Sequence, residues 1–89
     1  MGSTTSENNR FSQTVIYVPD AETAIRIAEA VFLPIYGEKV YKERPFVAEL
    51  NADGIWTVHG TLPSGTVGGT AMAQIRKTDG KILLVTHGK

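Results

Sequence analysis

The chain contains no cysteine, a single tryptophan and two histidines among its 89 residues. Without a thiol there is no disulfide, no thiolate nucleophile and no thiolate metal ligand. A metal site takes about three or four convergent protein ligands. Two histidines on separate segments, with scattered carboxylates, do not supply that set. Net charge is also lacking, because nine basic side chains cancel nine acidic ones. Binding to nucleic acid through bulk electrostatics needs a positive excess, so no nucleic-acid partner is expected. No apolar run approaches the ~18 residues of a membrane span, and no signal-peptide pattern opens the sequence. The sequence as written reads as cytoplasmic, and as periplasmic where a leader has been removed ahead of Met-Gly-Ser.

What is present is the composition of an ordinary globule, 42% hydrophobic and 20% charged. The length suits one domain with a small core, since a chain of this order buries only about 60% of its unfolded surface. Residues 1–13 are rich in Ser, Thr, Asn and Gln and carry too little apolar surface to offset the entropy of ordering. They are expected to form a flexible tail ahead of a single domain at 14–89. "TVIYVP" then reads as a brief edge strand, or as a lead-in packed under a helix and stopped by Pro19.

A helix is predicted from Asp20, whose carboxylate can cap the free amides of the first turn, with Glu22 adding favourable charge. Ala24, Ala28, Val31, Phe32 and Ile35 recur on one helical face, and Ile25 and Ile27 widen it. Gly37 is a C-cap candidate, and Pro34 should kink or tighten the last turn. "EKVYKE" is expected to add a short helical turn with Val40 and Tyr41 inward, ended by Pro45.

After Pro45 the period changes to two. "PFVAELN" puts Phe46, Ala48 and Leu50 on one face, and "ADG" makes a turn in which Gly54 supplies a positive φ. "IWTVHGTL" puts Trp56, Val58 and Leu62 inward, with Ile55, Thr57 and His59 outward. "TAMAQIRK" puts Ala71, Ala73 and Ile75 on one face. In "KILLVTHG", after the "TDG" turn, Ile82, Leu84 and Thr86 stand opposite Leu83, Val85 and His87. The expected fold is therefore α+β: one main N-terminal helix across a curved antiparallel sheet of about four strands in two hairpins.

Chemical motifs are sparse. Ser64 with a histidine and Asp53 or Asp79 lacks the context of a nucleophile elbow. "GTVGG" leads into a strand rather than a helix N-terminus, so it does not cradle phosphate; Gly68 and Gly69 suit a bulge or close backbone packing. Trp56 reads as core because of its face-mates. No catalytic residue, metal or cofactor is expected.

The segments "DAETAIRIAEAVFLPIYGEKV", "RPF" and "WTVHGTLPSGTVGGTAMAQIRKTDGKILLVTHGK", taken in order, resemble an immunity-protein family with a nuclear-transport-factor-2-like (cystatin-like) fold, found beside bacterial polymorphic toxins. The resemblance runs over roughly 20–89. It implies a non-catalytic protein that binds and neutralises a cognate toxin, and it supplies no residue-level site. Less helix precedes the sheet than in the full cone-shaped fold, so no deep pocket is expected. A weaker likeness is to PepSY-type domains, which would make the chain a secreted inhibitory or regulatory module. A third reading is a small enzyme of cone-shaped fold, for which only Glu49, Asp53 and His59 offer an acid or base.

For the toxin-binding reading, exposed polar and aromatic residues are the candidate contacts: Tyr36, Glu38, Lys39, Tyr41, Lys42, Arg76, Lys77 and His87. The last hairpin, with Arg76, Lys77, Lys81 and Lys89 against Asp79, is locally positive and predicts an acidic patch on the partner. The open edges of a small sheet also suit a homodimer.

Overall fold

The computed structural model describes residues 15–63 and 68–88. The expected flexible tail, Ser64 and Lys89 lie outside the described residues. Helix α1 spans Ala21–Tyr36 and is followed by a 3-10 helix, Glu38–Glu43. Four strands follow: β1 Val47–Leu50, β2 Ile55–His59, β3 Ala71–Arg76 and β4 Ile82–His87. The strands pair antiparallel in chain order, β1-β2-β3-β4. This is the α+β arrangement that the change of period predicts.

Local chemistry fixes the ends of α1. Asp20 accepts the Thr23 amide at 2.8 Å and the Thr23 hydroxyl at 2.6 Å. At the other end the Gly37 amide donates to Leu33 O at 2.8 Å, which closes the last turn in spite of Pro34. The helix buries Ala24, Ala28 and Phe32 against β1, β2 and β3. Ile35, expected on the same face, is 56% exposed. The last turn is instead anchored by rings, Phe32 on Phe46 at 5.6 Å and Tyr36 edge-on to His87 at 5.2 Å. In the 3-10 helix Val40 is buried and Tyr41 half-buried, as the short turn requires.

In the sheet, β2 and β3 follow the period-two reading. Trp56 and Val58 of β2 face the helix together with Ala71, Ala73 and Ile75 of β3. Leu50 pairs with Trp56 and so shares that face, but it ends β1 and is exposed; Leu62 lies beyond β2 and is exposed as well. β4 departs further from simple alternation. Gln74 pairs with Leu84 but Ile75 pairs with Ile82, so Leu83 is an extra residue in β4. Cross-strand partners share a face. Ile82 therefore sides with Val85 and His87, while Leu84 and Thr86 join the open face. This irregularity lies inside the hairpin and not at Gly68–Gly69. At that entrance close backbone packing holds instead, since a Cβ on Gly88 would lie 3.2 Å from Gly69 Cα.

The lead-in forms no strand. Tyr17 N donates to Thr78 O at 3.1 Å and Val18 N to Lys77 O at 3.0 Å, which hooks it onto the β3–β4 turn. Val18 is fully buried, and the Trp56 indole N–H donates to Val18 O at 2.8 Å. Gly54, at φ 76, turns the β1–β2 hairpin, and its carbonyl accepts from Lys77 N at 2.9 Å. Both hairpin turns and the lead-in thus gather at one end of the sheet, called here the turn end. The 3-10 helix lies at the other, helical end.

Candidate functional site

The eight candidate contact residues do not form one patch. Tyr36, Glu38, Lys39, Tyr41, Lys42 and His87 gather at the helical end, where the 3-10 helix meets the end of β4. Arg76 and Lys77 sit at the turn end. β3 carries the separation: its first residue, Ala71, pairs with His87, and its last is Arg76. At ~3.4 Å per residue the two groups stand roughly 17 Å apart along the strand.

At the helical end a residue outside that set organises the site. One oxygen of Glu43, Oε1, accepts the Ala71 amide at 2.7 Å, while Oε2 meets His87 Nε2 at 2.8 Å. The Glu43 carbonyl accepts the Thr61 amide at 2.8 Å. A Cβ on Gly60 would fall 2.7 Å from Glu43 Cβ, so glycine is required for this approach. Glu43 thereby ties the 3-10 helix to the ends of β2, β3 and β4. Its partners are distant in sequence, and no local motif marks it.

His87 has both nitrogens engaged, Nε2 by Glu43 and Nδ1 facing Gly88 O at 2.7 Å. Two acceptors favour the imidazolium, in which both nitrogens donate. The Glu43 hydrogen bond, then that of Gly88, raises the His87 pKa above the ordinary histidine value, against partial burial and, last, the charge of Lys39. A carboxylate–imidazole pair is also the arrangement of a general base, but a base needs a free nitrogen. Here the pair acts as a latch on the end of β4.

The rest of the helical end divides by exposure. Glu38, Lys39 and Lys42 are exposed, as expected. The two tyrosines are half-buried, which corrects the expectation of exposed rings. Tyr36 packs between Phe32 and His87, and the Arg44 guanidinium covers the Tyr41 ring at 4.1 Å. Arg44 also forks onto Glu29 at 2.8 and 3.3 Å.

At the turn end Arg76 is committed. It forks onto Asp79 at 3.0 and 2.7 Å, and Asp79 Oδ1 also accepts the Lys81 amide at 3.0 Å. The Arg76 guanidinium holds the Asp79 carboxyl well below the usual carboxylate range. Lys77 and Lys81 enter no salt bridge among the described residues. The local positive charge of the hairpin, within those residues, therefore rests on these two lysines.

The residues available to an enzymatic reading are dispersed. Glu49 and Asp53 are exposed, and His59 is half-buried on the open face of the sheet. Among the described residues no polar or charged side chain is buried, and no three His, Asp or Glu side chains group as metal ligands. No described helix is long and apolar enough to cross a membrane.

No curated protein and no solved structure matches this chain. A protein-family model does, that of the NTF2 fold immunity proteins, over residues 23–89. That span takes in all but the first two residues of α1, the 3-10 helix and all four strands, and so the chain belongs to the NTF2 fold immunity protein family.

Proposed function

We propose that the chain binds a cognate bacterial toxin and neutralises it by occlusion, without catalysis of its own. The observation that carries this reading is membership of an immunity protein family over 23–89. The build of the domain supports it. The helix is capped, the four strands are paired in one sheet, and Glu43 joins the 3-10 helix to three strand ends, which leaves little of the described backbone to be ordered on docking. Rigid surfaces lose little entropy on docking, so a small domain can bind tightly. Lys77 and Lys81, which enter no salt bridge among the described residues, give one end a positive field suited to an acidic patch on the toxin.

The test is growth rescue. The toxin domain encoded beside this gene is expressed in a sensitive bacterial host with and without the chain, and the two purified proteins are mixed and sized. Rescue together with a stoichiometric complex is expected. Killing that proceeds equally in the presence of the chain, with no complex, overturns the reading.

A further inference from the structure

The two edges of the sheet are unlike. β1 is four residues long, carries Glu49 and follows Pro45, all devices that discourage pairing. β4 is six residues long and has neither a proline nor an acidic or basic side chain from Ile82 to Thr86. Ile82, Leu83 and Leu84 are 37%, 38% and 42% exposed. A strand this apolar on both faces is the kind that sheets usually enclose.

The backbone of that edge is open as well. Gly88 N donates to Thr70 O at 3.0 Å, and Met72 pairs with Thr86 and Gln74 with Leu84. Bonded and non-bonded pairs alternate along an antiparallel ladder. Thr86 and Leu84 therefore turn their amides toward β3, and Val85 and His87 present theirs outward. The extra residue at Leu83 lies toward the turn and leaves Leu84–His87 regular.

Resting on the toxin-binding reading, we infer that β4 takes an extended segment of the toxin as a fifth strand. That segment is apolar where it passes Leu84 and acidic where it reaches Lys77 and Lys81. Main-chain hydrogen bonds supply the docking and the flanking charge supplies its direction. A second copy of this chain fits the edge poorly. The β4 of a second copy has no acidic side chain between Lys81 and Gly88 to meet these lysines.

Amide hydrogen exchange on the unsubstituted protein, free and mixed with the neighbour-encoded toxin domain, decides the matter. The Val85 and His87 amides are expected to slow by roughly tenfold or more in the complex. Val85→Pro deletes one outward donor at a position where an edge strand tolerates proline. It should melt as a folded protein and lose neutralisation. A complex in which the β4 amides exchange at the free rate overturns the inference and leaves the immunity reading standing. Protection of those amides in the free protein that rises with its concentration assigns the edge to a second copy and also overturns it. Absence of any complex with the unsubstituted protein defeats the immunity reading and this inference together. The exchange measurement needs no variant, so it decides even where Val85→Pro does not fold.

Discussion

Among single residues, Glu43 has the widest reach, and its consequence is a pH dependence. Its carboxylate holds the amide that opens β3 and the imidazole that ends β4. His87 is raised above the ordinary 6.5 mainly by that bond. Below pH 6.5 the imidazole is protonated folded or unfolded, and the latch contributes fully. As pH climbs through the folded-state value, the native proton is lost and the contribution goes with it. Since the His87 side chain is 34% exposed, solvent screening keeps the effect to well under about 1 kcal/mol. An NMR titration should therefore find His87 above the ordinary value. Glu43→Gln, which keeps an oxygen for the Ala71 amide, should bring it down and flatten the fall in stability above pH 6.5. A His87 that titrates identically in both proteins refutes the latch. None of this was legible in the sequence, because Glu43 finds Thr61, Ala71 and His87 only once three strand ends have come together.

Among elements, the least regular one makes the sharpest prediction. The lead-in Val15–Pro19 has no ladder of its own and is held by two backbone bonds and the Trp56 indole. Trp56→Phe keeps a ring in the core but removes the donor to Val18 O, leaving a buried carbonyl without that partner. A cost of about 1–3 kcal/mol is expected in denaturant unfolding. Proteolysis beside Tyr17 should rise while the helical circular-dichroism signal persists. Equal proteolysis in both proteins would show the indole bond to be dispensable. Elements were legible wherever their signal is local. Asp20 and Gly37 bound α1, and the alternation in β2 and β3 assigns Trp56, Val58, Ala71, Ala73 and Ile75 to the core. β4 was less legible, because its extra residue at Leu83 belongs to the pairing with β3 and leaves no mark on the period. Ile35 lies on the helical stripe that the sequence marks, yet its cover depends on how far the sheet extends beneath the last turn.

For the molecule as a whole, one helix covers one face of a four-stranded sheet, so the core is thin and each large side chain in it matters. Phe32 is among the largest fully buried side chains. Phe32→Ala should cost about 3–5 kcal/mol, a large share of the ~5–15 kcal/mol of a small domain. Thermal unfolding should drop accordingly, and an unchanged midpoint would place the core elsewhere. The whole-molecule view also reshapes the reading of the surface. Exposure inferred along the chain puts eight contact candidates in one set, whereas topology sends them to two ends of the sheet, and one partner patch need engage only one end. Paired charge reversals separate the ends. Lys39→Glu with Lys42→Glu changes the helical end, and Lys77→Glu with Lys81→Glu changes the turn end. Arg76 is left in place because Asp79 holds it and its loss would disturb the turn. All four lysines are free of salt bridges among the described residues, so each pair should melt within about 0.5 kcal/mol of the parent. If toxin is recruited along β4, the turn-end pair should slow association by roughly tenfold at low salt and much less at high salt, with the helical-end pair near the parent rate. The opposite ranking would move the contact surface to Lys39, Lys42 and the Tyr36–His87 corner, roughly a strand's length away from Lys77 and Lys81.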